Sequence, residues 1–269
     1  MGLSQVVGAT LDAGFTTVRD TGGVDGGLVT TIAKGKVRGP RVLSCGPVQC
    51  QIGGHGYYGA DWEPTELWSS HHLPGQCTLS AMSGNADELR RNVREAFRSG
   101  ASFLKLCVTG GVVGAHDRLT DTQFTVEEIA VAVQEAAARG TYVTVHAHNN
   151  DGIRNAVEAG VRCVEHGTDL DEPTATLMAA RGVTLVPTYR GEELRLRAKL
   201  DTPMDALVAA TKTNAEILGL SGRAGVIAPG AQADLVLWNG NPVEDPELFA
   251  DPANAVVVLQ AGRVVKDLR

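Results

Sequence analysis

Three short apolar runs in the middle of the chain end on side chains able to hold a metal ion or move a proton: Phe103-Leu-Lys-Leu-Cys107, Val143-Thr-Val-His-Ala-His148 and Val161-Arg-Cys-Val-Glu-His166. Neutral imidazole is a good donor to Zn2+ and similar ions. Lysine becomes a ligand only when its amine is neutral or has captured CO2 as a carbamate, and the apolar neighbours Leu104, Leu106 and Val108 favour the neutral amine by desolvation. Each residue also has an ordinary structural reading: a lysine at a barrel rim or in an ion pair, a histidine hydrogen-bonded at a strand end. His146 and His148, two apart, share one strand face. His71, His72, His116 and the five cysteines read as non-functional. Gly53-Gly-His-Gly56 and Gly110-Gly111 match no phosphate-binding pattern.

Positioning such groups together requires strands with their ends aligned. The segments between the runs read as helices, so Lys105, His146 and His166 are expected on successive parallel strands, converging where β/α barrels carry their active sites. The helix signals are local: a charged amphipathic stretch over 87–98, a capping box at Thr125 and Glu128 opening 125–139, a helix over 152–159, and Pro173 at a first-turn position ahead of Gly182. A helix over 3–13 stopped by Gly14 and another over 204–218 complete the set. Strands are expected at 15–19, 41–45, 102–108, 142–146, 161–165 and 183–187, the last four adjacent and parallel in that order. Residues 49–85 show too little periodicity for a long element; Tyr57, Tyr58, Trp62 and Trp68 suggest a functional loop over the site. After about residue 220 the pattern turns to short antiparallel strands, a small β subdomain.

Composition narrows the partners. The chain has 269 residues, 43% of them hydrophobic, and a net charge of −7. No basic cluster is available to meet phosphate, so neither nucleic acid nor an anionic membrane surface is an expected partner. A small molecule is the default, and self-association as a homo-oligomer is compatible. Five cysteines, odd in number and without a C-x-x-C pair, point away from a disulfide framework and toward a reducing, cytoplasmic setting. No signal peptide or 18-residue apolar run is legible.

Several motifs occur together in one order: Gly14-Phe-Thr-Thr-Val-Arg-Asp-Thr-Gly-Gly23, Gly39-Pro-Arg-Val-Leu43, Gly53-Gly-His-Gly56, Leu104-Lys-Leu106 with Thr109-Gly-Gly111, His146-Ala-His148, Glu165-His-Gly167, Val186-Pro-Thr188, Gly230-Ala-Gln-Ala-Asp-Leu-Val236 and Gly262-Arg-Val-Val265. By this set the chain resembles the metal-dependent amidohydrolase superfamily, in its imidazolonepropionase-like, Xaa-Pro and Xaa-Arg dipeptidase and ochratoxinase-like branch. The resemblance implies an α/β fold: an incomplete TIM-like (β/α) barrel over 1–220, and a small C-terminal β-sandwich subdomain over 221–269 to which both chain ends contribute. It implies a divalent metal centre, Zn2+ or another ion, with Lys105, carbamylated, as bridging ligand and His146 and His166 as ligands of one metal. It places His148 on the substrate side as a catalytic and binding residue, with His55 as a substrate-binding residue; Tyr57, carried with His55 and Trp62 on the 49–85 loop over the mouth, is expected to bind substrate as well.

Two departures from the family pattern stand out. The His-x-His motif of the first barrel strand and the metal-binding aspartate of the eighth are not found, in keeping with six strand candidates where a closed barrel has eight. Metal binding is accordingly expected to be weak or mononuclear, unless Glu192, Glu193 or a neighbouring subunit fills the gap. The expected function is metal-dependent hydrolysis of a carbon–nitrogen bond in a small substrate such as a dipeptide or N-acyl amino acid. The alternative is a shortened homologue that binds a metal or a partner and does not hydrolyse. A nucleotide-binding α/β sheet lacks its phosphate loop.

Overall fold

A computed structural model of the chain describes residues 3–68, 79–114, 116–186, 198 and 202–269. By their contacts the residues form two compact units, one of 19–30 and 43–188, the other of 1–18, 31–42 and 189–269.

The first unit is built on a six-stranded sheet ordered β4-β3-β5-β6-β7-β8. Its strands are β3 (Val48–Gln51), β4 (Ser80–Ser83), β5 (Leu104–Cys107), β6 (Val143–Ala147), β7 (Cys163–His166) and β8 (Thr184–Val186). Every pairing is parallel. The four strands from β5 to β8 are adjacent and in chain order, as their sequences predict. Helices α4 (Ala86–Arg98), α5 (Val126–Ala137), α6 (Asn150–Ala159) and α7 (Glu172–Ala180) alternate with them. The caps are those the sequence spells out. Asn85 accepts from the amides of Asp87 and Glu88, and Thr125 and Glu128 complete a reciprocal capping box. Asp171 accepts from the amide of Thr174 with Pro173 in the first turn.

The alternation of side chains along a strand separates structure from chemistry. Leu104 and Leu106, Val143 and Val145, and Val164 point into one apolar core with Leu89, Val93, Ile129, Ala132, Ile153 and Val157 from the helices. Lys105, Thr144, His146 and Glu165 occupy the intervening positions and are buried as well.

Two expectations are corrected. Strands 15–19 and 41–45 do not join the large sheet. They become β1 (Thr17–Asp20) and β2 (Arg41–Ser44), which pair with each other in a two-stranded sheet. The extended run from Arg41 to Gln51 is broken by Gly46, whose φ is 66°, and by Pro47, which has no amide to continue a ladder; the chain beyond it starts β3. The stretch 49–85, expected to be irregular, supplies the end of β3, a helical turn at Thr65–Trp68 that we label α3, and β4. Val-Gln-Cys-Gln and Ser-Ala-Met-Ser are four-residue strands, too short for a periodic signal, and the second has little β propensity. The remaining helices are α1 (Leu3–Asp12) and α2 (Gly26–Ala33). Among the described residues the large sheet does not close on itself.

In the second unit β9 (Leu235–Trp238), β10 (Ala255–Gln260) and β11 (Arg263–Asp267) form an antiparallel sheet where a small β-sandwich was expected. Leu11 of α1 packs with Ala255 and Val258, flanked by Val236, Trp238 and Val265. Lys266 Nζ donates to the carbonyl of Asp12 at 2.8 Å, so both chain ends share this body. The expected helix over 204–218 is Pro203–Val208, a π-helical turn Ala209–Thr213 and Asn214–Ile217. Glu192 and Glu193 lie outside the described residues.

Candidate active site

Register brings the chemistry together. Lys105 pairs with Thr144 and Cys107 with His146 across β5 and β6; His146 pairs with Glu165 and Ala147 with His166 across β6 and β7. Lys105, Cys107, His146, His166, His55 and Tyr58 all line one cavity of ≈ 210 Å³. A larger open hollow of ≈ 640 Å³ runs along α4 between charged side chains, but the histidines are in the smaller one.

The imidazoles form a stack. The ring of His55 lies parallel to that of His146 at 4.2 Å between centroids. His146 meets His148 and His166 edge-on at 4.6 and 4.7 Å, and His148 stacks on His166 at 5.1 Å. Burial, with His55 and Lys105 adjoining, pushes His146 down to about 2. Burial, then the charge of Lys105, pushes His166 down to about 4. His148 is lowered by burial and by His55. All three are therefore neutral near pH 7, the state in which imidazole donates a lone pair.

Each ring is oriented by a partner. His146 Nε2 lies 3.2 Å from the carbonyl of Gly110. His148 Nδ1 lies 2.8 Å from Thr168 Oγ1, and its amide donates to Thr109 Oγ1 at 3.0 Å. His55 Nδ1 sits 2.9 Å from Asp117 Oδ2, which also accepts from the amide of Gly111 at 2.7 Å. His166 ends β7 in the left-handed region, φ 72°, and Gly167 follows at φ 60°. That turn carries the ring over the strand ends.

Lys105 is 5% exposed. Its pKa is lowered, mainly by burial, although Glu165 opposes the shift. Glu165 is engaged elsewhere: Arg19 Nη2 donates to its Oε1 at 2.5 Å and Thr144 Oγ1 at 2.6 Å. The lysine is thereby left without a dedicated carboxylate partner among the described side chains.

These donors suit a divalent cation in kind: neutral imidazoles and a desolvated amine able to react with CO2. Their number is limited. Among the described residues no group of three or more His, Cys, Asp or Glu is disposed to hold a metal ion. A cation here would rest on His146, His166 and Lys105, the lysine standing as the third donor.

Sequence reasoning located Lys105, His146, His166 and His55 at this cavity. His148 contacts His146 and His166 in the imidazole stack but is not among the residues lining the cavity. Tyr57 is 7% exposed and spends its hydroxyl on the carbonyl of Glu63 at 2.8 Å, whereas Tyr58 next to it lines the cavity. His116, read as non-functional, fastens the 57–63 loop through Gly59 O at 2.8 Å and Asp61 at 3.0 Å. Asp117, Arg19 and Cys107 were missed as members of the site. Their partners are far away in sequence, and no local spacing announces them. No helix among the described residues is long and apolar enough to cross a membrane.

Comparison with known proteins agrees with this architecture. Ochratoxinase of Aspergillus niger is 27% identical over 319 residues, covering 95% of this chain and 66% of that protein; the chain thus spans just under two thirds of that relative's length. A solved prolidase complexed with N-methylphosphonate-L-proline superposes with a TM-score of 0.93 at 32% identity, covering 98% of this chain and 78% of the other. A Xaa-Pro dipeptidase with methionine bound in its active site gives 0.80 at 26% identity over 98% and 78% of the two chains. The model of the amidohydrolase family matches residues 1–202 and 192–265. With a parallel sheet, a lysine and two histidines on consecutive strands, and a family match over nearly its whole length, this chain belongs to the amidohydrolase family.

Proposed function

We propose that the chain performs, or contributes the active-site half of, the hydrolysis of a carbon–nitrogen bond in a small substrate of the dipeptide or N-acyl amino acid class, with Zn2+ or another divalent metal. The observation that carries this reading is the convergence of Lys105, His146 and His166 on one buried cavity. Its ≈ 210 Å³ lies below the roughly 300 Å³ at which drug-sized sites begin, in keeping with a substrate no larger than a dipeptide. The proline analogue and methionine seen in the two solved relatives support the same size class.

His146, His166 and Lys105, the last as its carbamate, would hold the cation. When bound, a divalent ion supplies a polarised carbonyl and a more acidic water. The chain's own residues do the rest. Neutral His146 and His166 present lone pairs without first losing a proton. Lys105, desolvated and without a carboxylate of its own, presents an amine reactive toward CO2. His148, fixed at Nδ1 by Thr168, offers Nε2 to accept or return a proton at the substrate's nitrogen. His55, held by Asp117 and stacked on His146, lines the cavity beside the substrate, and Tyr57 frames the loop that carries it. Cytoplasmic placement and the division into a hydrolase body over 1–220 and a β subdomain over 221–269 belong to the same proposal.

The test is to strip the protein of metal, restore it with Zn2+ or Mn2+, and assay Xaa-Pro dipeptides and N-acyl amino acids while counting bound metal. Turnover that needs metal and disappears in Lys105→Met supports the reading. Metal or ligand binding without turnover in every reconstituted form replaces it with the non-hydrolysing homologue.

A further inference from the structure

The proposed hydrolysis leaves one feature of the cavity wall unused. Cys50 is fully buried and Cys107 is 4% exposed, and neither is in a disulfide. The thiol of Cys50 donates to the carbonyl of Val48 at 3.7 Å, and Cys107 packs with Cys50 and Val48 in one cluster. The two cysteines stand side by side because Gln49 pairs with Leu106 across β3 and β5, which brings the next residue of each strand level with the other. On the far side of β3, Cys50 pairs with Met82 of β4. Met82 packs against the cluster formed by Val48, Cys50 and Cys107. Three sulfur atoms on three adjacent strands therefore share one row.

The surroundings are shaped to a sulfur atom. A Cβ on Gly56 would fall 2.2 Å from Cys50 Sγ, so glycine leaves the space that the sulfur fills. Cys107 also lines the cavity, which gives an incoming ion a path.

We propose that Cys50, Cys107 and Met82 form a binding site for a soft d10 cation of the Cu(I) or Cd2+ kind, separate from the histidine and lysine donors of the hydrolytic centre. Thiolate and thioether sulfur select such ions over the harder ones that imidazole and carboxylate serve. Each cysteine gives its proton to water as its sulfur bonds the cation. Two protons are released, no electron is transferred, and Met82 adds a lone pair without change. With Cd2+ the resulting bis-thiolate unit is neutral, so burial does not penalise it as it penalises a lone thiolate.

The test uses the reduced full chain, titrated anaerobically with Cd2+ while the ultraviolet thiolate-to-cadmium charge-transfer band is followed, and with Cu(I) against a chromophoric chelator. One sulfur-bound ion per chain, release of two protons for each Cd2+ so bound, and a loss of affinity of at least about tenfold in the sulfur band of each of Cys50→Ser and Cys107→Ser are expected. Met82→Leu should weaken Cu(I) more than Cd2+. Cys45→Ser and Cys163→Ser should bind as the parent does, and circular dichroism of each variant confirms that it is folded. Should Cys50→Ser fail to fold, Cys50→Ala and protection of Cys50 and Cys107 from alkylation by bound Cd2+ give the same readout. Lys105→Met and His166→Asn should keep the sulfur band, which separates this site from the hydrolytic one. A band that survives loss of either cysteine, or that vanishes with His166→Asn alone, would overturn the assignment.

Discussion

Arg19 and Glu165 form the buried ion pair on which the chemistry of Lys105 rests. Their side chains are 12% and 2% exposed, and Thr144 gives the carboxylate a second hydrogen bond. Removing one partner of such a pair strands the other charge in a low dielectric, at about 3–5 kcal/mol. Arg19→Met should therefore lower the free energy of unfolding in urea by that order, while Arg19→Met with Glu165→Leu should restore most of it. Equal losses in the single and double variants would show that the pair is held for some other reason. Lys105→Met moves the opposite way. It removes a desolvated amine, so thermal stability should hold or rise while metal-dependent turnover falls at least about 100-fold. In chelator, the histidines set a pH dependence. The native pKa of His166, about 4, lies below its ordinary 6.5, so the unfolded chain binds more protons between those values. Stability is complete above about 6.5 and declines as the pH falls toward 4. Urea midpoints at pH 7, 5.5 and 4.5 should descend in that order, less steeply in His166→Gln.

At the scale of elements, the caps can be tested singly. Thr125→Ala removes half of the box that opens α5 and should cost about 1 kcal/mol, read as a shift in denaturation midpoint with an unchanged m value. Leu106 is fully buried between the sheet and its helices, and Leu106→Ala should cost about 2–5 kcal/mol. A smaller loss would mean that the core relaxes into the space. These same elements show what could be read beforehand. Thr125, Glu128, Asn85 and Pro173 are local signals acting over three or four residues, and α4, α5 and α7 begin within a residue or two of the expected places. β3 and β4 were not legible, because a four-residue strand is chosen by its neighbours rather than by its own pattern. The break at Gly46-Pro47 was not foreseen, and which sheet each side joins is set by partners outside the segment, β1 for β2 and β4 and β5 for β3.

On the scale of the molecule, order along the chain carried the most information. Lys105, His146 and His166 each have an ordinary explanation alone, and only their succession on β5, β6 and β7 distinguishes them. What stayed hidden was lateral: Arg19 reaching Glu165, Asp117 reaching His55, and Cys50 beside Cys107. Each joins residues that no periodicity relates, so burial and long-range pairing had to be seen. The C-terminal strands were legible as hairpins. That both chain ends share this body was implied by the family resemblance, but that Leu11 fills its core was not legible, since neither segment predicts the other by hydrophobic pattern.

The turn at His166 has a further consequence for how this site can change. With φ at 72°, position 166 admits few side chains without strain: beyond glycine, chiefly asparagine, aspartate and histidine. The backbone thus acts as a filter on inheritance, screening which donor atoms a single mutation can place there. Aspartate could replace the imidazole with an oxygen donor and keep the bend, whereas valine, isoleucine or threonine would first have to unbend it. A library randomised at 166 and sorted for folded protein should therefore come back narrow in backbone type and varied in ligand chemistry.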